Sequence, residues 1–490
     1  MLTLDVGSSS ARALLFGFEG QEIAGCGSQL SYQVRTTGDG GWEIGAEELL
    51  QTVVEVLDAV CAQMHVRNIR PAAIAIDTFW HSVLGVAADG EPVTPVLHPF
   101  DSRSAEAART LARRLDNAAQ HSRTGCVLHP SYPPAKLLWL AETQPQAFQA
   151  ARWWMSFGEY LFLKLFGVAA CSTSMISGSG LWDQNANKYD QEMLNALPVK
   201  MDQLTRVDEM DQPQTKLVDD FARRWPELDG IPWFPALGDG ACDNVGSGCT
   251  ECDRFALMVG TSGALRACTR RDCIRIPPGL FCYRLDRRRF VLGGALSNGG
   301  EVFAWMRRTL QLPDTVEIER QLAACQPNQH GLTILPLFAG ERSTGWRVDA
   351  RAAITGLAVS TTPIEILHSA LESVALRFRN VYELMTPSLR VPEEVIASGG
   401  ALLRSPSWTQ MMADVLCHTV IPCLEPEATS RGAALVALER IGAIRDIGDP
   451  APKLGDEIRS DESKKEVYLA ALKKQRWLYS KLFEDGAPPA

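Results

Sequence analysis

The sequence has no excess of basic residues, no long apolar run and no recognisable leader. Its 490 residues include 48 Lys and Arg against 58 Asp and Glu, a net charge of −10. This balance argues against a nucleic-acid-binding protein, which needs a basic face. The sequence contains no run of about 18 apolar residues, so no membrane helix is predicted. We see no signal peptide before the first strand, since a basic segment, an apolar segment and a cleavage site are not found there. We therefore expect a soluble cytoplasmic protein with neither a nucleic-acid nor a membrane partner.

Several common catalytic and nucleotide-binding motifs are also missing. The chain has no GxxxxGK[ST] sequence, which disfavours a P-loop nucleotide site. No GxGxxG follows the first strand, so a dinucleotide-binding fold is not supported. GxSxG and HExxH are absent too.

Cysteine is present, but its pattern does not indicate a metal site or disulfides. The thirteen cysteines lie mostly in hydrophobic segments, which predicts free thiols. Cys249 and Cys252 form a CxxC pair, whereas Cys268 and Cys273 are spaced differently and no His lies nearby. We therefore expect these thiols to be buried or inert rather than bound to zinc.

Short apolar strands alternate with helices along the chain, which predicts an α/β architecture. The length calls for at least two domains. A weakly patterned connection at residues 213–235 predicts the boundary, so we expect one domain at residues 1–236 and another at 237–490. Residues 153–166 are predicted to form one amphipathic helix rich in aromatics.

Two similar turns occur in the two halves of the chain, in LDVGSSSARALL and MVGTSGALRA. Each follows an apolar strand, contains glycine and hydroxyl residues, and returns to apolar residues. Glycine allows close backbone approach, and successive N–H groups in such a turn form an anion-binding nest. Two turns in register predict a duplicated domain whose hairpins face one phosphate chain. The residues of these candidate phosphate-binding turns are Gly7, Ser8, Ser9, Ser10, Gly260, Thr261 and Ser262.

Three acidic residues near these turns are candidates for chemistry. Asp5 ends the first strand, where a carboxylate beside phosphates is a natural Mg²⁺ ligand, directly or through water. Asp239 and Asp243 lie in GDGACDNVGSG. Asp239 could take the proton of a sugar hydroxyl that attacks a phosphoryl group, or cap a helix, or do both. For Asp243 we expect a capping or packing role. Arg12 is either a solvated strand residue or a phosphate contact.

A later stretch, SGGALLRSPSW, ends a strand with two glycines and leads towards a helix. Gly399 and Gly400 would let the backbone lie against a flat ligand such as adenine. This strand–Gly–Gly–helix pattern is common, so it supports a nucleotide site only together with the paired turns.

Taken in order, these stretches resemble the FGGY carbohydrate kinases of the actin, hexokinase and Hsp70 fold superfamily. The resemblance runs from about Leu2 to Gly442 and includes HSVLGVAADGEPVTPV, DSRSAE, FAGERSTGW and SRGAALVALE. It implies two actin-like (ribonuclease H-like) α/β domains with ATP and Mg²⁺ in the cleft between them. It also implies a small-molecule sugar or sugar acid as substrate, and a homodimer is a family-level expectation.

The resemblance also implies roles for individual residues. Asp239 matches the catalytic base and is a second candidate Mg²⁺ ligand, and Asp5 matches the acidic residue near magnesium. Thr261 lies where the second hairpin contacts ATP. Trp80 and His81 match the sugar-contacting positions. Further nucleotide contacts fall on Gly300, Gly400 and Arg404.

Within the family, TGCVLHPSYPPAKLLWL and SMISGSGLWD are most similar to gluconate kinases. This implies phosphorylation of D-gluconate to 6-phosphogluconate, with His81, Arg103 and Lys136 available to offset the carboxylate. Alternatively, Arg103 and Lys136 hold loops together, which is the role we expect for Lys136. Two positions depart from the family pattern: Pro99 replaces a Trp, and Gly158 replaces a Lys before an acidic residue. The alternatives are a kinase for xylulose, glycerol or another polyol, and an ATP-binding protein of the actin superfamily without kinase activity.

Overall fold

The computed structural model describes residues 1–208 and 212–484. The strands are β1 Leu2–Val6, β2 Ser10–Phe16, β3 Glu22–Ser31, β4 Arg35–Thr36, β5 Trp42–Ile44, β6 Ile74–Thr78, β7 Leu84–Val86, β8 Val96–Leu97, β9 Trp153–Met155, β10 Ala170–Ser172, β11 Trp182–Asp183, β12 Lys188–Tyr189, β13 Arg206–Asp208, β14 Leu237–Gly238, β15 Arg254–Val259, β16 Gly263–Arg270, β17 Phe281–Arg284, β18 Arg289–Leu296, β19 Thr333–Leu335, β20 Ala353–Thr355, β21 Glu394–Ser398 and β22 Val420–Pro422. The helices are α1 Ala46–Arg67, α2 Ala105–Arg114, α3 Asn117–Thr124, α4 Pro133–Thr143, α5 Pro145–Ala150, α6 Phe157–Phe166, α7 Thr173–Ser177, α8 Gln191–Ala196, α9 Asp219–Arg224, α10 Asp239–Gly246, α11 Gly300–Thr309, α12 Thr315–Ala324, α13 Pro363–Met385, α14 Gly400–Leu403, α15 Pro406–Leu416, α16 Ala428–Arg440 and α17 Lys465–Phe483.

The first domain is built on a sheet with the strand order β14-β6-β1-β2-β3. β1, β2 and β3 form an antiparallel meander, as the alternating apolar runs and turns at the start of the chain predict. β6 joins the other side of β1 in parallel, and β14 joins β6 in parallel. The carboxyl ends of β1, β6 and β14 therefore lie side by side at one edge of the sheet.

The second domain repeats this arrangement in the order β17-β18-β16-β15-β21-β22. β15 and β16 form an antiparallel hairpin like β1 and β2, with β18 antiparallel beside β16. β21 is parallel to β15, and β22 is parallel to β21. β17 adds a further edge strand. The sheet topology is thus duplicated, as the paired turns predict.

Long helices cover the two sheets. α1 buries ten of its residues in the first core, among them Leu49, Val53 and Leu57. Among the described residues, α1 is the one helix with the length and composition of a membrane span, and half of that window is buried inside the protein. α13 fills the second core through residues such as Leu371, Phe378 and Val381.

The two domains are joined by a close helix pair. α16 comes from the second half of the chain, but residues from Ala433 to Leu438 pack into the first core. It crosses α10 at two glycines: a Cβ on Gly246 would lie 1.7 Å from the carbonyl oxygen of Ala428, and one on Gly432 would lie 1.9 Å from that of Cys242. Only glycine allows the two backbones to approach this closely.

The boundary predicted at residue 236 stays a prediction. In the structure, Leu237 and Gly238 pair with β6 in the first sheet, and the second sheet begins at Arg254. Helix α10 and the loop that follows it connect the two sheets.

The single helix predicted over residues 153–166 is wrong. Residues Trp153–Met155 form β9, which pairs with β7, and the helix begins only at Phe157. Ser156 caps this helix, since its hydroxyl accepts the N–H of Glu159 while the Glu159 carboxylate accepts the N–H of Ser156. This capping box stops the helix from extending back into the Trp pair.

Candidate active site

The two predicted turns meet at one cavity between the domains. Ser8 from the β1–β2 turn and Ser262 and Gly263 from the β15–β16 turn line a space of about 240 Å³. Asp239 lies at the same cavity, together with the predicted sugar contacts Trp80 and His81. Residues from both halves of the chain therefore share one site.

Both turns present unused backbone donors. Gly7 donates its N–H to Ser10, and Gly260 donates its N–H to Ser262, which closes each turn. Among residues 1–208 and 212–484, no acceptor takes the amide N–H of the intervening residues Ser8, Ser9, Thr261 and Ser262. Free amide groups in a tight turn suit an anion such as a phosphate.

Asp239 is the first residue of α10, and the helix is capped by Gly238 instead. The reading of Asp239 as an N-cap is therefore wrong. Its carboxylate accepts the N–H of Gly240 at 2.7 Å. Burial raises the pKa of Asp239 to about 6, against the opposing charge of Arg266. Asp243 pairs with Arg266 at 2.8 Å, in keeping with its predicted packing role.

Asp77 is an acidic residue of the site that sequence reasoning missed. It lies on β6 directly beside Asp5 on β1. It is fully buried, and its carboxyl group interacts with that of Asp5. No N–H group or alcohol hydroxyl of the described residues donates to either of its oxygens. Burial and the charges of Asp5 and Asp239 raise the pKa of Asp77 well above its ordinary value. The available signal was that β6, like β1, carries an aspartate near its carboxyl end.

Asp5 is buried and held by two neighbours. Ser430 donates its hydroxyl to Asp5 at 3.3 Å, and Arg12 approaches the same carboxylate at 3.6 Å. Burial raises the pKa of Asp5 despite the Arg12 charge. Arg12 also pairs with Glu427, so its charge is shared between two carboxylates, and its predicted phosphate contact stays a prediction.

Trp80 forms part of the cavity wall and is packed against three glycines. A Cβ would lie 2.7 Å from its ring at Gly178, 1.9 Å at Gly238 and 3.0 Å at Gly240. The indole N–H donates to the carbonyl of Ser174 at 3.0 Å. The ring is therefore fixed from both sides.

His81 follows with a left-handed backbone, φ 67°, which is uncommon for a residue with a Cβ. Its Nδ1 lies 2.5 Å from the carbonyl oxygen of Gly178. Burial lowers the pKa of His81 to about 3, so the ring is neutral near pH 7. Nδ1 then carries the proton and Nε2 is an acceptor. The neutral His81 ring can accept a hydroxyl hydrogen, and its predicted part in offsetting a carboxylate stays a prediction.

The predicted nucleotide-side glycines are also brought together. Gly300 begins α11 and donates its N–H to Gly260 at 2.7 Å, while Glu301 donates to Thr261. Gly399, at φ 90°, packs its Cα on the backbone of Val259. A Cβ on Gly300 would lie 2.5 Å from that of Ala401, one residue beyond Gly400. Arg404 lies exposed beside Gly400.

Comparison with known proteins agrees with this geometry. Residues 1–246 match the N-terminal domain of the FGGY family of carbohydrate kinases, and residues 255–439 match its C-terminal domain. The chain belongs to the FGGY family of carbohydrate kinases. It is therefore a phosphotransferase with an alcohol group as acceptor, built from two actin-like domains.

Individual relatives differ in their substrates. The gluconokinase of Bacillus subtilis (strain 168) is 26% identical over 477 residues, covering 94% of this chain and 91% of that protein. Glycerol kinase 1 of Pseudomonas aeruginosa is 27% identical over 465 residues, covering 92% of each. The crystal structure of a gluconate kinase from Lactobacillus acidophilus covers 99% of both chains with a TM-score of 0.92 and 23% identity. A ligand-bound xylulose kinase from the same organism has the same TM-score and identity and covers 99% of this chain and 98% of its own.

Two further cations named for the carboxylate have other partners in this FGGY kinase, and for Lys136 these partners agree with the expected role of holding loops together. Arg103 pairs with Glu43 at 2.7 Å and Asp101 at 2.6 Å. Lys136 is buried and donates to the carbonyl oxygens of His81, His98 and Ser131 at 2.9–3.1 Å. Since these three carbonyls belong to loops that line the cavity, Lys136 holds the cavity wall together.

The two departures from the family pattern have different consequences. Pro99 lines the cavity. At Gly158, a Cβ would lie 2.7 Å from the Cβ of Ala236 and 3.0 Å from the hydroxyl of Thr78. A lysine does not fit there without a shift of the strands behind the site.

Further cavity residues were not predicted from the sequence. They come from loops and from strand β17, which are far apart along the chain and meet only because the domains pack together. Apart from the family stretches that contain some of them, no local pattern marks them. They are His98, Phe100, Ser131, Tyr132, Phe281, Tyr283, Arg342 and Trp346.

Proposed function

We propose that this FGGY kinase transfers the γ-phosphoryl group of ATP to the primary hydroxyl of a sugar acid, with D-gluconate as substrate and 6-phosphogluconate as product. The observation that carries the proposal is the shared cavity, where both phosphate-type turns, Asp239 and the Trp80–His81 wall meet. The likeness to gluconokinases over more than nine tenths of the chain supports the choice of gluconate.

The turns provide the phosphate side of the site. The free amide groups of Ser8, Ser9, Thr261 and Ser262 are donors for phosphate oxygens, and they are already oriented by the closed turns. Such preorganised donors stabilise charge that develops during transfer. Closure of the domains over the cavity would exclude water, which otherwise accepts the phosphoryl group.

Asp239 provides the base. With a pKa of about 6, its carboxylate is mostly ionised at neutral pH and still basic enough to take a proton. Its position at the start of α10 fixes the carboxylate relative to the turns. It would orient the attacking hydroxyl and accept its proton as the phosphoryl group transfers.

Magnesium fits the acidic residues of the site. Asp77 offers two buried carboxylate oxygens that receive no N–H group or alcohol hydroxyl from the described residues, and its charge interacts with those of Asp5 and Asp239. Carboxylate oxygens are the ligands that Mg²⁺ prefers, directly or through water. Asp5, Asp77 and Asp239 would hold the ion. When bound, Mg²⁺ neutralises negative charge on phosphate oxygens.

The test is a panel of sugars, sugar acids and polyols with ATP, read by ADP release. We expect D-gluconate to give the highest kcat/KM. Asp239→Asn should lower kcat by roughly 10²-fold or more with ATP affinity retained, because the amide cannot accept the proton. Near-normal turnover of this variant would refute the role of Asp239 as the base.

The pH profile adds a second readout for Asp239. The base must be ionised, so kcat/KM of the wild type should fall as the pH decreases through about 6. The residual activity of Asp239→Asn should lack this acidic limb. An identical limb in the variant would assign it to another group.

A xylulose or glycerol kinase is the second candidate. It is favoured by the equal TM-score of the xylulose kinase structure and by the 27% identity to a glycerol kinase. Preferred turnover of a neutral sugar or polyol on the same panel would select it.

A further inference from the structure

One arginine of the cavity has no acidic partner. Arg342 lies in the loop between β19 and β20 of the second domain and lines the cavity beside Trp346. Its Nη2 donates to the carbonyl of Leu296 at 3.0 Å. Its Nε is buried without an acceptor, and no carboxylate of the described residues lies within ion-pair distance of Arg342.

Other charged residues near the cavity have a partner of opposite charge, unlike Arg342. The second cavity arginine, Arg266, is paired with Asp243. The residue just before Arg342, Glu341, is turned away and pairs with Arg377 and the hydroxyl of Tyr479. A guanidinium in a partly closed cavity without a counterion is costly. Four of its five N–H donors have no partner among the described residues, and of these only the Nε donor is buried away from the cavity. Such a group is suited to an anionic ligand.

The neighbours of Arg342 place that anion at the sugar end of the cavity. Burial is the main cause that lowers the pKa of His81 and of His129, and the charge of Arg342 adds to the lowering of both. It also interacts with the hydroxyls of Tyr132 and Tyr283, which hydrogen-bond to each other at 2.6 Å. In contrast, the cation whose charge lowers the pKa of Asp239, against the effect of burial, is Arg266. Arg342 therefore faces the aromatic wall rather than the base.

We propose that Arg342 binds the carboxylate of the sugar-acid substrate and sets the preference for an aldonate over a neutral polyol. This rests on the proposed function, in which the primary hydroxyl lies at Asp239. In an acyclic sugar acid the carboxylate is at the opposite end of the carbon chain from that hydroxyl. The planar guanidinium can bind a carboxylate through two parallel hydrogen bonds.

The test compares D-gluconate with D-glucitol, in which a hydroxymethyl group replaces the carboxylate. Arg342→Met removes the charge but keeps a long side chain, and Arg342→Lys keeps the charge without the planar fork. Arg351→Met is the matched control, since Arg351 is exposed in the same loop and, within the described part of the chain, donates only to the nearby carbonyls of Val348 and Ala350. Kinetics with saturating ATP and calorimetric binding of each ligand are measured for all variants.

We expect Arg342→Met to raise KM and the dissociation constant for gluconate by about 10²-fold, with Arg342→Lys intermediate. Values for glucitol and the affinity for ATP should be unchanged, and Arg351→Met should behave like the wild type.

The outcomes separate the two proposals. If the wild type uses gluconate but Arg342→Met affects gluconate and glucitol equally, or neither, the role of Arg342 is overturned and the gluconate kinase stands. If the wild type prefers another sugar acid and Arg342→Met selectively weakens the binding of that acid, the assignment of gluconate as substrate is wrong and the proposed role of Arg342 stands. A wild type that binds and phosphorylates only neutral sugars overturns both.

Discussion

At the scale of single residues, the fully buried side chain of Asp77 destabilises the folded protein when it is ionised. Its pKa is raised by burial and by Asp5 and Asp239, while the unfolded chain has the ordinary value. Between these two values the folded state binds more protons, so stability falls as the pH rises. Asp77→Asn removes this loss, and we expect a higher unfolding midpoint than the wild type at neutral pH, with no difference near about pH 4.

Thermal unfolding followed by circular dichroism over this pH range, without and with Mg²⁺, measures the effect. Mg²⁺ should stabilise the wild type more than Asp77→Asn, because a ligand of the folded state raises its stability. Asp58→Asn is the control, and it should change stability in the opposite direction. The hydrogen bond from Arg224 lowers the pKa of Asp58, so the ionised Asp58 stabilises the folded state at neutral pH and its removal should lower the unfolding midpoint. A midpoint of Asp77→Asn at or below that of the wild type at pH 7 would contradict the prediction.

At the scale of elements, the packing of Trp80 against β14 connects the sheet to the sugar wall. A Cβ at Gly238 would lie 1.9 Å from the indole ring, so Gly238→Ala must displace either the ring or the strand. We expect a loss of roughly 1–3 kcal/mol in unfolding free energy and a raised KM for the sugar with an unchanged KM for ATP. Denaturant unfolding and steady-state kinetics measure the two effects.

A second substitution tests the cause. Trp80→Leu makes room for the added methyl group, so the double variant should lose less stability from Gly238→Ala than the wild type does. Gly455→Ala is the control, because its nearest neighbour would lie at an ordinary 3.5 Å. Equal losses with and without the tryptophan would show that the ring is not the obstacle.

The elements also show what the sequence could predict. The hairpins around Gly7 and Gly260 are local structures, each formed by residues close together in the chain. The similarity of the two stretches is therefore enough to predict that the hairpin occurs twice. Asp239 is predicted as a site residue because it lies within a glycine-rich stretch, which is also a local pattern. The pairing of Asp5 with Asp77 depends on strand register across the sheet, which no local pattern encodes. The exposure of Arg342 to the cavity depends on the meeting of two domains, and its lack of a counterion is visible only in the folded protein.

At the scale of the whole molecule, the crossing of α10 and α16 connects Asp239, the proposed base, with Asp5, a proposed magnesium ligand. α10 begins with Asp239, and α16 carries Ser430, which donates to Asp5. α16 also carries Arg431, whose guanidinium donates to the carbonyls of Gly20 and Gly246. A change in the distance between these helices should therefore move the Asp239 carboxylate relative to the first sheet.

Gly432→Ala changes that distance directly. Its Cβ would lie 1.9 Å from the carbonyl oxygen of Cys242 and 2.9 Å from the amide nitrogen of Gly246, and both are backbone atoms of α10 that cannot rotate away. The helices must separate, so we expect a loss of about 2 kcal/mol or more in unfolding free energy and at least about a 10-fold lower kcat, since small displacements of reacting groups are costly. ATP affinity should change little, because neither the β1–β2 turn nor the β15–β16 turn, which carry the proposed phosphate donors, is part of the two helices. Denaturant unfolding, kinetics and nucleotide titration measure these, with Gly38→Ala, where a Cβ meets nothing within 4 Å, as the control. A variant with lowered stability but wild-type kcat would show that the helix crossing supports the fold without positioning Asp239.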